Sequence, residues 1–338
     1  VVQFGRRTMI GLVLSQSESN NSPYKIKEIL EVLDEKPIFS DDMLKKIMAI
    51  SDYYFHPIGE VVQAFIPNLL RKRKDTNSLQ KYENHESPKI LHNKSLVKLT
   101  DEQELCLRSI MHSKNREFLL FGVTSSGKTE VYKHYIHQLL NSGKSSLVLV
   151  PEIFLTPQVF ESFQKDFGEQ VCVFHSSLTE LQRYKVWSRC SSKEPIVVIG
   201  TRSAIFLPLT NFDAIIFDEE HDQSFKQQEG FRYDAKFLAS TLAPNNAKII
   251  YSSATPSLSL IKKSDSKEIG FFHLDKRFGN FKKPNINIHS INKQKLISGV
   301  SDELLTKISN TLDEGKQALI LLNRRGYATV FFCDGCGW

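Results

Sequence analysis

The chain has 338 residues, enough for two or three domains, and its 41% hydrophobic and 24% charged residues are typical of a globular protein rather than a fibre or a disordered chain. No apolar run is long enough to cross a membrane and the first residues lack the apolar core of a signal peptide, so we expect a cytoplasmic protein without a membrane partner. The formal net charge of +6 permits a nucleic-acid partner without requiring one.

The first 70 residues mix strand and helix patterns and carry no recognisable chemistry of their own. We predict a strand over residues 9–14 and helices over residues 26–33 and 41–54. The second helix should end before Pro57 and Gly59, because neither residue continues a helix. These features predict a small accessory domain.

Residues 71–98 form a predicted linker, since almost no aliphatic side chain occurs before Ile90. The segment opens with the basic run Arg71 to Lys74, which would suit a contact with DNA phosphates. Exposed charges beside a linker are more often only solvated, so both interpretations stay open.

From residue 99 onward, short apolar runs rich in β-branched residues alternate with helical patterns. The runs cover residues 118–121, 146–150, 171–174, 196–199, 214–217 and 248–251. Buried strands separated by helices predict an α/β fold with a parallel sheet and helices on both faces. Ligands of such sheets bind at the carboxyl ends of the strands, and the strands here end in polar, glycine- or proline-containing motifs.

The first of these strand ends carries a phosphate-loop motif. Residues 122–129 read GVTSSGKT, which fits G-x-x-x-x-G-K-T between a predicted strand and a predicted helix. We expect the backbone N–H groups of the loop, which includes Gly122, Ser126 and Gly127, to surround phosphate oxygens. Lys128, predicted to be an exposed loop residue, would reach the β- and γ-phosphates of ATP, and Thr129 would ligate Mg²⁺.

A second strand end carries residues suited to metal binding and proton transfer, Asp218-Glu219-Glu220-His221. We predict that Asp218 holds Mg²⁺ through water and that Glu219 polarises the attacking water. His221 would link the nucleotide state to the rest of the lobe. An exposed acidic turn is the alternative, and the upstream phosphate loop argues against it.

The loop after these residues, 222–237, interleaves aromatic and basic side chains. Aromatic rings stack on bases and cations meet phosphates, so the pattern suits single-stranded nucleic acid. A core helix with a polar face is the alternative, and the polar run of residues 227–230 argues against a fully buried segment. The candidate DNA contacts in this loop are Lys226, Phe231, Arg232 and Tyr233.

Seven motifs follow one another along the chain: GVTSSGKTEVY, VPEIFLTPQ, FHSSLT, GTRSAIFLP, DEEHDQSFKQQEGFRY, SSATPS and LLNRRGYA. In this order they resemble the primosomal protein N′ (PriA) family of superfamily 2 replication-restart helicases. The resemblance implies a RecA-like P-loop lobe with a parallel sheet, preceded by a small 3′-end DNA-binding-like domain and followed by the start of a second lobe. It also implies an ATP-dependent 3′-to-5′ DNA helicase that acts at stalled forks in primosome assembly and replication restart.

The resemblance assigns further site residues and partners. FGRR, KEILEVLDEKPIF and SDYYFHPIGEVVQAFIP resemble the domain that binds the 3′ end of a nascent strand, and they place Gly5 and Lys27 at its pocket. Gln103 lies where superfamily 2 helicases have a glutamine that reads the adenine edge. Thr201 and Arg202, in GTRSAIFLP, would grip the DNA strand. The implied partners are forked and single-stranded DNA with a 3′ end, other primosome proteins and single-stranded DNA-binding protein.

The resemblance also implies that the sequence is a piece of a longer protein. We expect an incomplete 3′-end domain over residues 1–70, a linker over 71–98, the first helicase lobe over 99–265, a connector over 266–298, and the start of the second lobe and of a zinc ribbon over 299–338. No winged helix is recognisable. Cys333 and Cys336 would form half of a Zn²⁺ site that the full-length protein completes.

The second lobe of such motors supplies an arginine to the γ-phosphate, and the resemblance places this arginine beyond Trp338. Arg324 and Arg325 are the arginines of the second-lobe segment. We therefore expect this chain by itself to hydrolyse little ATP. Two other functions stay open: another superfamily 2 translocase such as a restriction-type motor, and a non-catalytic DNA-binding scaffold switched by ATP.

Overall fold

The structure is a computed structural model that describes residues 1–16, 26–34, 36–72, 96–192, 194–209, 211–279, 285–291, 296–297 and 300–321. The chain divides into two compact units, Val1–Phe281 and Lys282–Trp338, and each is described by itself. Within the described ranges, no helix is both long enough and apolar enough to span a bilayer.

The chain opens with a small hairpin. Strand β1 (Val2–Phe4) pairs in antiparallel register with β2 (Arg7–Met9), and Gly5 turns the chain between them with a φ of +61°. The predicted strand over residues 9–14 is therefore wrong beyond Met9.

The predicted helix over residues 26–33 is also wrong. Ile29 forms an antiparallel bridge with Val2, and the Leu30 N–H donates to the Val1 carbonyl at 2.9 Å. A backbone that pairs with another chain segment must be extended, so long-range pairing overrides the local helical pattern here.

Three helices follow. Helix α1 (Asp41–Tyr53) confirms the predicted helix over residues 41–54, and the Ser40 hydroxyl caps it by accepting from the Met43 N–H at 3.3 Å. Helices α2 (Ile58–Phe65) and α3 (Asn68–Lys72) complete the group.

This helical group packs into the core of the following lobe. Ile47 and Val61 belong to one buried cluster with the sheet residue Leu119. The Trp187 indole N–H donates to the Phe65 carbonyl at 3.0 Å, which joins α2 to the lobe. The end of the accessory domain and the lobe therefore share one hydrophobic core.

Seven parallel strands form the central sheet, and the predicted strands are all present within two residues of their expected bounds. They are β3 (Glu117–Gly122), β4 (Ser145–Leu149), β5 (Val171–Phe174), β6 (Val197–Gly200), β7 (Phe212–Asp218), β8 (Lys248–Ser253) and β9 (Gly270–Leu274). Their order across the sheet is β5-β6-β4-β7-β8-β3-β9. The predicted α/β fold is confirmed.

Strand β9 was not expected. It pairs in parallel with β3, with Phe118 opposite Gly270, so the sheet continues past the expected lobe boundary at residue 265. The segment predicted as a connector therefore begins as the edge strand of the lobe.

Six helices cover the two faces of the sheet: α4 (Asp101–His112), α5 (Lys128–Asn141), α6 (Pro157–Phe167), α7 (Glu180–Ser191), α8 (Ala235–Leu242) and α9 (Leu258–Asp265). Successive strand residues alternate between two buried clusters; Leu119 and Ile215 lie in one, and Leu120 and Ile216 in the other. Burial on both faces explains why each strand reads as an uninterrupted apolar run.

In the second unit, β10 (Leu296–Ile297) pairs with β11 (Val300–Ser301), and α10 (Asp302–Asp313) follows. The Ser301 hydroxyl caps α10 by accepting from the Leu304 N–H at 3.4 Å. Cys333, Cys336, Arg324 and Arg325 lie outside the described residues.

A shared core predicts that damage to α2 destabilises the whole first unit. Phe65 is 4% exposed and its ring lies edge-on to Phe206 at 4.9 Å, so Phe65→Ala should lower the free energy of unfolding by about 3–5 kcal/mol. Phe55 is 97% exposed, so Phe55→Ala is the control and should change the free energy of unfolding by less than about 0.5 kcal/mol. Denaturant unfolding followed by fluorescence measures both. A separate early transition in Phe65→Ala, with the main transition unmoved, would contradict the shared core.

The three described cysteines should be chemically inert. Cys106, Cys172 and Cys190 are buried and free, and burial raises the pKa of the Cys106 thiol to about 12. The thiolate is the reactive form, so a raised pKa slows alkylation at pH 8. In a variant with Cys333→Ser and Cys336→Ser, iodoacetamide should label these three thiols only after denaturation. Fast labelling of the native protein would show that the surrounding core is open.

Candidate functional site

The phosphate-loop motif lies between β3 and α5, at the carboxyl end of the sheet. Two of its residues have left-handed backbone, Ser125 with a φ of +63° and Gly127 with a φ of +82°. These conformations fold the loop back over the first residue of α5. The Lys128 ammonium donates to the Gly122 carbonyl at 2.8 Å and the side chain is 8% exposed. The prediction of an exposed lysine is therefore wrong, because the loop wraps around the ammonium.

Lys128 shares its surroundings with the acidic motif. Burial lowers the pKa of Lys128, and the charges of Glu219 and Asp218 oppose that shift. A buried cation beside two carboxylates is a site where an added polyanion gains strong attraction, since little water screens the charges.

The loop has the features that a bound phosphate requires. Ser126 is buried, and its hydroxyl has no hydrogen-bond partner within the described residues. A Cβ atom at Gly122 would come within 2.6 Å of that hydroxyl, and one at Gly127 within 2.2 Å of the Gln103 amide nitrogen. At Gly127 the φ of +82° favours glycine, and at Gly122 a side chain would crowd Ser126 and Leu274. The unpaired Ser126 hydroxyl fits a site that holds a polar ligand.

Gln103 contacts the loop directly. Its side-chain oxygen accepts from the Thr100 N–H at 2.9 Å in the capping box of α4, and its amide nitrogen donates to the Ser126 carbonyl at 3.0 Å. Gln103 therefore supports the phosphate loop. The predicted contact with adenine stays a prediction.

The two candidate Mg²⁺ ligands meet at one tyrosine. The Tyr132 hydroxyl donates to Asp218 Oδ2 at 3.1 Å and is hydrogen-bonded to the Thr129 side chain. The Ser252 hydroxyl donates to Asp218 Oδ1 at 3.1 Å, since β7 and β8 place Asp218 opposite Ser252. Burial raises the pKa of Asp218, and these donors oppose the rise. Sequence reasoning missed Tyr132, although its position one turn after Lys128 on α5 places it on the same face.

Glu219 lies in a sharp turn directly after β7, with a φ of +49°. Burial and the neighbouring Asp218 raise the pKa of Glu219, while Lys128 and His221 oppose the rise. His221 Nδ1 lies 2.8 Å from the Ser253 hydroxyl and 3.5 Å from Glu219 Oε2. His221 thus connects the acidic turn to the end of β8. Its predicted role in linking the nucleotide state to the rest of the lobe stays a prediction.

Glu220 was given no role by the sequence, yet it is the most buried of the four residues. Its side chain is 0% exposed and accepts from Lys236 Nζ at 2.9 Å and from the Ser257 hydroxyl at 2.7 Å. The local sequence could not predict that Glu220 is buried, because the residues that pair with it, Lys236 and Ser257, lie elsewhere in the chain.

The aromatic residues of the loop 222–237 pack against other parts of the protein to different extents. Phe225 and Tyr233 are buried, and the Tyr233 ring packs edge-on against Phe206 at 4.7 Å. Phe231 stacks on His56 at 5.0 Å. Packing against apolar neighbours takes up much of the surface of both rings, and the predicted base contacts of Phe231 and Tyr233 stay predictions.

The cations of the same loop are placed differently. Lys226 and Arg232 are exposed and available to a partner. Lys236, by contrast, forms an ion pair with Glu220 at 2.9 Å.

Thr201 and Arg202 lie at the end of β6 and act within the protein. Thr201 is buried. Arg202 donates to the Gln227 side chain at 2.6 Å and forms an ion pair with Glu152 at 3.3 Å. Arg202 thus connects three of the motifs to one another. The contact of Thr201 and Arg202 with DNA stays a prediction.

Gly5 and Lys27 both lie in the first 30 residues, where Gly5 forms the hairpin turn and Lys27 is exposed in an extended segment. Their contact with a DNA 3′ end stays a prediction. Groups of metal-binding side chains are absent from the described ranges, and Cys333 and Cys336 lie outside them.

Two family models match the chain. A 3′DNA-binding domain (3′BD) matches residues 1–67, and a DEAD/DEAH box helicase matches residues 100–263. Among solved structures, the Hef helicase domain of Pyrococcus furiosus is 22% identical with a TM-score of 0.39, covering 51% of this chain and 37% of that one.

Curated relatives match more of the chain. The replication restart protein PriA of Haemophilus influenzae is 43% identical over 251 residues, which are 74% of this chain and 34% of that protein. The protein of the same name from Rickettsia prowazekii is 34% identical over 340 residues, which are 100% of this chain and 51% of that protein. The chain spans about half the length, or less, of these relatives. These similarities show that the chain belongs to the family of the replication restart protein PriA.

Proposed function

We propose that the chain is the ATP-binding and DNA-binding part of a helicase that moves 3′ to 5′ along DNA at stalled forks during replication restart. The observation that carries the proposal is the buried ammonium of Lys128, held at the phosphate loop in the field of Asp218 and Glu219. Relatives named as replication restart proteins support the cellular role.

The residues of the site divide the chemistry of ATP hydrolysis between them. Lys128 exchanges the Gly122 carbonyl for phosphate oxygens of the substrate. Thr129 and Asp218 are the residues that would hold Mg²⁺, and Tyr132 orients both. When bound, the metal neutralises charge on the β- and γ-phosphates. Glu219 accepts a proton from the attacking water, and its raised pKa makes it a stronger base than an ordinary carboxylate.

The DNA partner is proposed to be forked or single-stranded, with a 3′ end bound by the N-terminal domain near Gly5 and Lys27. The match of residues 1–67 to a 3′DNA-binding domain supports this part. Lys226 and Arg232 would contact phosphates of the strand on the helicase lobe. Contacts with other primosome proteins and with single-stranded DNA-binding protein, and a Zn²⁺ site at Cys333 and Cys336, belong to the proposed full-length protein.

The two alternatives receive less support. A restriction-type motor would share the ATP site, but the curated relatives that match are replication restart proteins. An ATP-switched scaffold needs no water-activating carboxylate, whereas Glu219 lies beside Lys128 and Asp218 with a raised pKa.

The ATP site is tested by Lys128→Ala. The variant should bind a fluorescent Mg-ATP analogue at least about tenfold more weakly, because the loop loses its only formal positive charge. Lys262→Ala, which removes an exposed lysine of α9, is the matched control and should bind normally. Thermal unfolding verifies that both variants fold. Unchanged affinity in Lys128→Ala would overturn the assignment of the ATP site.

The DNA contact is tested by replacing Lys226 and Arg232 together with Ala. Each phosphate contact on a single strand contributes about 0.7 to the slope of log affinity against log salt, so the slope should fall by about 1.4. Replacing Lys114 and Lys262, two exposed lysines outside the loop, should leave the slope unchanged. Fluorescence anisotropy with a labelled oligonucleotide across a salt series gives the slope. Equal slopes in wild type and the loop variant would exclude these two contacts.

A further inference from the structure

Helix α1 contacts the loop 222–237 through the residues at its C-terminal end. The Tyr53 ring stacks on Phe237 at 4.2 Å, and the Tyr54 ring meets Phe231 edge-on at 5.6 Å. The Tyr54 hydroxyl accepts from the Asp234 N–H at 3.1 Å, a hydrogen bond between residues 180 positions apart in the chain. The N-terminal segment is thus fastened to the start of α8.

Asp234 connects Tyr54 to α8. Its carboxylate caps the helix by accepting from the Lys236 N–H at 2.8 Å. The residue whose backbone Tyr54 holds is therefore also the residue that fixes the first turn of α8, and Lys236 lies in that turn.

Lys236 then reaches the acidic turn of the ATP site. Its ammonium lies 3.1 Å from the Glu220 carbonyl and 2.9 Å from Glu220 Oε1. Glu220 follows Glu219 directly, and its second oxygen accepts from the Ser257 N–H at 3.1 Å. Separating Lys236 from this fully buried carboxylate would leave a charge without its ionic partner, which is strongly unfavourable. A displacement of α8 must therefore carry the acidic turn with it.

We propose that Tyr54 is a positioning residue that couples the N-terminal 3′-end domain to the ATP site through Asp234, Lys236 and Glu220. This inference rests on the proposed function, because it assumes that the chain binds both ATP and a DNA 3′ end. Under it, DNA bound to the N-terminal domain changes the affinity for ATP, and ATP changes the affinity for DNA by the same factor.

The test measures this factor by binding. The affinity of a fluorescent Mg-ATP analogue is determined with and without a saturating oligonucleotide that has a free 3′ hydroxyl. We expect the two affinities of the wild type to differ by at least about fivefold, the lower end of ordinary coupling between sites. In Tyr54→Phe, which keeps the ring and removes the hydroxyl, the factor should fall towards one. The affinity for each ligand alone should change by less than about twofold, since the ring packing is preserved.

The neighbouring residue supplies the control. Tyr53 is 59% exposed and stacks on Phe237, and its hydroxyl is not part of the path through Asp234, so Tyr53→Phe should retain the wild-type factor. A second variant interrupts the path at its other end, with Lys236→Met and Glu220→Gln combined so that no unpaired buried charge remains. It should also bring the factor towards one, whatever its affinity for each ligand alone.

The outcomes separate this inference from the proposed function. A wild-type factor of one, or a factor that survives in Tyr54→Phe or in the double variant, overturns the proposed path and leaves ATP binding intact. Failure of the wild type to bind the ATP analogue or the oligonucleotide overturns the proposed function, and the coupling with it. Loss of coupling in Tyr53→Phe as well would show a general packing effect instead of a path through the Tyr54 hydroxyl.

Discussion

The site depends on one electrostatic arrangement, a lysine ammonium enclosed by its own loop beside two carboxylates from a different strand. Lys128 starts α5 after β3, and Asp218 ends β7, with β8 between the two strands. The parallel sheet brings these strand ends to one edge, so residues far apart in sequence act on the same ligand. Ser252, at the end of β8, holds Asp218 from the side. The order of the strands is thus what makes the charges meet.

The arrangement costs stability, and the surroundings offset part of this cost. Burial disfavours the charged forms of Lys128, Asp218 and Glu219, and the two carboxylates repel each other. The attraction of both carboxylates to Lys128 and the hydroxyl donors to Asp218 favour the charged forms. Glu219 adds a backbone in the left-handed region, which is unfavourable for a residue other than glycine. Strain and buried charge concentrated at one edge of a well-packed sheet are typical of a site selected for binding or catalysis rather than for stability.

Much of this could be predicted from the sequence, for reasons that also explain the errors. The strands of the sheet are predicted correctly because each is a local apolar run. The phosphate loop is recognisable because its glycine and lysine residues have a fixed spacing. The predicted helix over residues 26–33 is wrong because its partner is distant: Val2 pairs with Ile29. The packing of Phe231 on His56 is likewise invisible in the local sequence. A sequence pattern of aromatic residues interleaved with cations is the same whether the rings contact DNA or pack against another helix.

The buried pair of Glu220 and Lys236 shows why stability alone does not account for the acidic motif. Apolar residues of similar volume are often as stabilising as a buried ion pair, or more so, because they avoid the desolvation of two charges. An apolar contact has little directional preference, however, so the two packed segments can shift relative to each other at little cost. Glu220 is fixed by hydrogen bonds from Lys236 and from both the hydroxyl and the backbone N–H of Ser257. These bonds define one position for the turn that carries Glu219, and a base that must meet a water molecule requires such a position.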